Sequence, residues 1–421
     1  MNFKFNKLNQ NNVKTVEDYI KTKAFDMIIP ANNLFKYPYI DPGAQYGGDL
    51  WDWDSHFSAI ALIEICEYFK NDSSFDYKAH RLQVIEASKG CVLNFLNSQL
   101  DDGFIPIVIN NDFLQTNFYS QNYKEHNLNQ HKPFLCQSVV AISDYVNDYN
   151  WFDVEKLIKY IDYYKREQFD DRSGFYVWKS DYMIGIDNNP SVFGFPPASV
   201  GDIYLNTFMY LELLALSKIL KTLCDSRNEK YLQEAERLKQ TILAECYDNR
   251  DGLFYSVFID LAKDHKGKHS GMKFFWKSIP IKLRMAACFL PMYAGISSQE
   301  QNKIMIEKHY LDDKFLSPAG LRSLSEDEKM YFLEGTSNPS NSLGPVWLIH
   351  NYFPFYGLIK SNRIDLAEDL CNRIVSTYAD DINNTGKICE AYHPITGKPI
   401  MNHSFLSWNC LIIKMIKELK Q

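Results

Sequence analysis

Three stretches of this 421-residue chain concentrate residue types that hold and cleave polar substrates. The first is PGAQYGGDLWDWDSHF, residues 42–57, where Asp52 and Asp54 alternate with Trp51 and Trp53, and Tyr46 stands just upstream. An acid ahead of a helical run serves as an N-cap, and Asp54 is placed for that role. Two tryptophans beside two acids exceed what a cap needs. Aromatic faces stack on the apolar side of a sugar ring and carboxylates accept hydrogen bonds from its hydroxyls, so carbohydrate chemistry fits. The second stretch, SDYMIGIDNNPSVFGFPP (180–197), holds Asp181 and Asp187, with Asp202 soon after. DNNP is also good turn chemistry, and Asp202 is placed to cap the following helix, so spacing alone leaves all three acids open. The third, GKICEAYHPITGKPIMNHSFLSW (386–408), sets Glu390 in apolar and aromatic surroundings with Tyr392 nearby and Trp408 at its end. Desolvation there would raise a carboxyl pKa, which suits proton transfer; an ordinary Glu paired with a Lys is the plainer alternative.

Further polar and aromatic elements are HKPFLCQ (131–137), ending on Gln137, GLRSLSEDE (320–328), and GTSNPSNSLGPVWLIHNYF (335–353). In the last, Asn341 and Ser342 are placed as caps, and Trp347 and Asn351 are expected to project inward. Other chemistries lack their signatures. The ten His form no H-E-x-x-H and no Cys/His ligand spacing, so no metal is expected. Walker A, G-x-G-x-x-G and G-x-S-x-G are all absent, and no cofactor is expected.

Helical periodicity predicts twelve helices to position these stretches, over 14–25, 54–69, 80–98, 132–147, 152–169, 199–223, 228–248, 283–296, 298–311, 344–361, 363–380 and 404–419. Short strand signals follow Gly at GFIPIVI after Asp102, at 174–178 and at 252–259. The helices alternate in character. FLCQSVVAISDYVN is almost uncharged, whereas FDVEKLIKYIDYYKREQF is densely charged, and GPVWLIHNYFPFYGLIK and RIDLAEDLCNRIVSTYAD repeat the contrast. A helix apolar all round is buried, and a charged amphipathic one covers it, which implies an inner and an outer ring. Connections alternate as well: short from inner to outer, long from outer to inner. All long connections then emerge at one end, the expected active-site face. The charged N-terminal helix closes the ring beside the apolar C-terminal one. The fold class is all-α, an (α/α)6 barrel, with residues 1–421 as one domain.

The net charge of −7 and the absence of a basic cluster argue against a nucleic-acid partner. No run of about 18 apolar residues is present, so no membrane span is expected. Nine scattered Cys without C-x-x-C and an N-terminus without an apolar signal core point to a soluble cytoplasmic protein with reduced thiols. The partner expected is a small carbohydrate; the oligomeric state is open.

WDWDSHF, DNNP, DIYLN, GLRSLS, GPVW and E-A-Y-x-P-x-T-G followed by FSW occur in one order across residues 42–408. In these motifs the chain resembles glycoside hydrolase family 63 and, more loosely, the family 37 trehalases that share its barrel. The resemblance implies an inverting glycosidase. By position, the general acid falls on Asp187 and the general base on Glu390, with Trp53 and Asp54 lining the sugar subsite. The compact length is similar to that of bacterial mannosylglycerate and glucosylglycerate hydrolases. The trehalase glycine-rich stretch is absent, and no Arg or Lys is assigned to a glycerate carboxylate, so the aglycone stays open. The substrate implied is a small α-glucoside or α-mannoside, a glycerate conjugate or an α-linked disaccharide among them. The rival readings are a sugar isomerase or epimerase on the same barrel, which would want paired His, and a non-catalytic sugar-binding protein. A terpene-cyclase-like barrel would want D-D-x-x-D, which Asp170–Asp171 does not complete.

Overall fold

The computed structural model describes residues 5–110, 124–125, 127–261, 276–334 and 340–420. Among them are α1 Gln10–Lys23, α2 Asp52–Phe69, α3 Tyr77–Asn97, α4 Leu135–Val146, α5 Val154–Glu167 and α6 Ile203–Thr222. The second half supplies α7 Asn228–Glu245, α8 Leu290–Ala294, α9 Gln299–Met305, α10 Leu348–Lys360, α11 Ile364–Thr385 and α12 Ile412–Leu419. Each overlaps a span expected from periodicity.

The even-numbered helices form a closed inner ring: α2 packs on α4, α4 on α6, α6 on α8, α8 on α10, α10 on α12, and α12 on α2. Outside them, α3 lies over α2 and α4, α7 over α6, and α11 over α10 and α12, with α1 beside α11. The fold is an (α/α)6 barrel. Composition explains the sorting. In α5 the buried set Leu157, Ile158, Tyr160, Ile161 and Tyr164 repeats at helical spacing on one face, whereas α2 and α6 are buried nearly all round. By length and composition alone α6 could cross a bilayer, but it stands in the inner ring with 83% of its apolar stretch buried. All nine cysteines are free, and only Cys224 is exposed.

Three expected helices are broken. Pro291 sits in the first turn of α8, where its missing N–H costs nothing, and the residues before it, Ala286–Phe289, wind as a 3-10 turn. After α9 the chain continues as a π turn over Ile306–Tyr310, and α12 is preceded by the 3-10 turn Ser407–Leu411. The strand signals give two-residue strands at Val108–Ile109, Phe175–Tyr176, Leu253–Phe254 and Val257–Phe258. The most developed sheet was not expected: Cys389–Tyr392 pairs with Val346–Trp347 on one side and with Pro399–His403 on the other, all antiparallel.

Candidate active site

The long connections converge on a cavity of about 500 Å³ at one end of the barrel. Tyr46 and Trp51 reach it from the segment before α2, Trp53 and Asp54 from the first turn of α2, and Lys132 from the segment before α4. The segment between α5 and α6 contributes Asp181, Tyr182, Met183, Gly185, Asp187, Asn188 and Phe193. Ser340 comes from the segment before α10, and Glu390 and Trp408 from the one before α12.

Glu390 lies in the middle strand of the three-stranded sheet and is 2% exposed. Its carboxyl is pushed up to about 8, first by burial, then by the negative charges of Asp54 and Asp187; a hydrogen bond from Asn402 pulls the other way. That bond runs from Asn402 Nδ2 to Glu390 Oε2 at 2.9 Å. Burial also raises Asp187, opposed by a bond with Ser340 and by the charge of Lys132. Its segment is tied across the mouth of the barrel: Ser342 N donates to the Asp187 carbonyl at 3.0 Å, and Asn188 Nδ2 donates to the Ser340 carbonyl at 3.2 Å. Asp54 is no cap, because α2 begins two residues earlier; its Oδ1 accepts the Ser407 hydroxyl at 2.8 Å, and burial lifts its carboxyl to about 7. Three neighbouring carboxyls that each resist ionisation can hold and pass protons near neutral pH.

The expected site residues divide in two. Asp187, Glu390, Tyr46, Trp51, Trp53, Asp54 and Trp408 meet at the cavity. Asp52, Gln137, Trp347 and Tyr392 do not line it. Asp52 is fully buried, its Oδ1 2.7 Å from Lys132 Nζ and its Oδ2 accepting Lys132 N at 2.6 Å, so it anchors Lys132 and leaves no oxygen for a sugar. Gln137 donates to the carbonyls of Pro133 and Phe208. Trp347 donates its indole N–H to the Asn341 carbonyl and packs behind Trp408. Tyr392 would share a face with Glu390 in a regular strand, but the register shifts between Ala391 and Tyr392, and its hydroxyl donates to Asp381 Oδ2 at 2.8 Å. Asn351, expected to project inward, exchanges hydrogen bonds with the Leu321 backbone and does not line the cavity. Of the alternative acids, Asp181 sits at the cavity mouth, whereas Asp202 caps α6 and accepts the Trp178 indole N–H.

Trp53 also differs from a free stacking platform. Tyr204 covers it at 5.2 Å and 10°, and Gly185 approaches so closely that a Cβ there would come within 2.1 Å of the indole. Gly185 has φ of +90°, so both space and backbone require glycine. Sequence reasoning passed over Lys132, Ser340 and Asn402. Lys132 stands in the HKPFLCQ stretch already singled out, but its partner Asp52 is 80 positions away. No histidine is among the described residues of the cavity wall. His56, His131 and His350 are buried and held neutral, pulled down to about 3, 4 and 4 by desolvation. Paired-imidazole isomerase chemistry therefore has no support here.

A model of the mannosylglycerate hydrolase MGH1-like glycoside hydrolase domain matches residues 91–408. The chain belongs to this family. This glycoside hydrolase is similar in fold to the family 63 mannosylglycerate hydrolase of Thermus thermophilus solved with Tris, at 16% identity and a TM-score of 0.66 over 94% of this chain and all of that one. It is likewise similar to the same protein solved with glucose, with a TM-score of 0.64, 16% identity and coverage of 97% and 99%. The neutral trehalase of Saccharomyces cerevisiae aligns at 14% identity and a TM-score of 0.60, over 96% of this chain and 80% of that one. In sequence the hydrolase is 26% identical over 142 residues to a probable mannosyl-oligosaccharide glucosidase of Schizosaccharomyces pombe. That match covers 31% of this chain and 17% of the yeast protein's length.

Proposed function

We propose that this hydrolase is an inverting α-glycosidase acting on a small α-glucoside or α-mannoside, with Asp187 as general acid and Glu390 as general base. The observation that carries the reading is the meeting of these two carboxyls, both with raised proton affinity, in a cavity also lined by Asp54, Trp53 and Trp408. Asp187 gives its proton to the glycosidic oxygen as the bond to the anomeric carbon breaks. Glu390 takes a proton from the water that attacks the opposite face of that carbon, so the configuration inverts. Asp54 accepts sugar hydroxyls, and the tryptophans supply apolar wall. The relatives' names support the substrate class: one is a mannosylglycerate hydrolase solved with glucose and with Tris and D-glycerate, the other a probable glucosidase. The whole chain is read as one catalytic domain, since a single buried cluster runs from Val13 to Ile416.

The test is a panel of α-glucosides and α-mannosides, glycerate conjugates included, followed by proton NMR of the first-formed sugar. Release of the β-anomer is expected. Release of the α-anomer would make Glu390 a nucleophile, and a panel without turnover would remove the reading.

A further inference from the structure

The mouth of the cavity has a different chemistry from its floor. Asp54 and Glu390 are buried, but Tyr182 and Phe193, which line the same cavity, are 54% and 60% exposed. Their backbone is nonetheless pinned. Asn129, itself 1% exposed, donates from Nδ2 to the carbonyls of Ser180 and Tyr182 at 2.9 and 3.0 Å and accepts Lys179 N–H at 2.8 Å. Phe193 N donates to the Asn189 carbonyl at 2.7 Å, and the Asn189 side chain is held by Ser191. Large rings kept in solvent on a fixed backbone beside a pocket are prepaid binding surface, because covering them removes apolar area from water with little ordering cost.

Charge narrows what covers them. Among the described residues of the wall, Asp54, Asp181, Asp187 and Glu390 are acids and Lys132 is the one cation, with Asp52 2.7 Å from its ammonium. An anionic group entering this mouth finds no unpaired cation among the described residues of the wall, because Lys132 is already engaged by Asp52, whereas a neutral ring needs none.

We propose that the leaving-group half of the substrate is a neutral ring, a second sugar or an aryl group, seated against Tyr182 and Phe193, and that a carboxylate-bearing leaving group is disfavoured. The proposal rests on the glycosidase reading of this cavity. It makes Tyr182 and Phe193 specificity-determining residues that act on the aglycone alone.

Wild type, Tyr182→Ala and Phe193→Ala are compared on three α-glycosides of the gluco and manno series: a neutral disaccharide or p-nitrophenyl glycoside, a glycerate conjugate, and the glycosyl fluoride. The fluoride offers no ring for the mouth to hold. Wild type is expected to prefer the neutral ring over the glycerate conjugate. Each substitution is expected to lower kcat/KM for the neutral ring by roughly 3–10-fold, through KM, and to leave the fluoride unchanged. A preference for the glycerate conjugate overturns the proposal, as does an equal loss on the fluoride, and both leave the glycosidase reading standing. Turnover of no substrate, the fluoride included, overturns the two together.

Discussion

Asn402 shows how a single amide can set the state of the carboxyl proposed as general base. Its Oδ1 accepts the Gln45 N–H at 3.3 Å, so Nδ2 must face Glu390, to which it donates. A donor favours the ionised form, the form a base needs, and works against the burial that pushes Glu390 up to about 8. The acid limb of kcat/KM is therefore expected well above the ordinary carboxylate range, with the pair titrating as a unit. Asn402→Ala removes the opposing bond and is expected to move that limb to higher pH; an unmoved limb would leave Asn402 a structural residue. Asp187→Asn and Glu390→Gln each remove a proton-transfer partner of the proposed mechanism, and steady-state kinetics should show kcat lower by about 10²–10⁴-fold. A folded variant with near-native turnover would take that residue out of the mechanism.

Elements divide by how local their causes are. The twelve helices could be read from the sequence because each carries its own period, and the alternation of apolar and charged helices sufficed for two rings. Four residues, Cys389–Tyr392, are too few to show a period, so the strand bearing Glu390 was missed although Glu390 itself was not. Asp52, Gln137, Trp347 and Tyr392 were misplaced for a related reason: their types suit a site, but their partners are fixed only by tertiary structure. Glu212 is a further case. It lies on α6, inside the barrel, and its carboxyl accepts Cys136 N at 2.6 Å and Gln137 N at 3.1 Å, thereby capping α4 from a neighbouring helix. Glu212→Ala leaves the Cys136 and Gln137 N–H groups unpaired and is expected to cost about 2–4 kcal/mol in denaturant unfolding. A loss under about 0.5 kcal/mol would mean that other groups satisfy that helix end.

At the scale of the whole barrel, the site works against the fold. Glu390 and Asp54 ionise at about 8 and about 7 in the native state, against ordinary values of 4.5 and 3.8. A carboxyl whose native pKa is raised stabilises the fold fully at pH below its unfolded value, and loses that contribution as pH climbs through the native one. Between pH 3.8 and about 7 for Asp54, and between pH 4.5 and about 8 for Glu390, these groups therefore lower stability progressively, by up to a few kcal/mol for Glu390. Helices paired around a closed ring can carry that load because the main core cluster runs continuously from Val13 in α1 to Ile416 in α12. Glu390→Gln keeps the shape of the side chain and removes its titration. Its melting temperature is expected to match wild type near pH 4 and to exceed it near pH 9, while activity is lost. Differential scanning calorimetry across that range is the check. Parallel curves for the two proteins would show that Glu390 titrates alike in the folded and unfolded chain, and the strain between site and fold would then have to reside elsewhere.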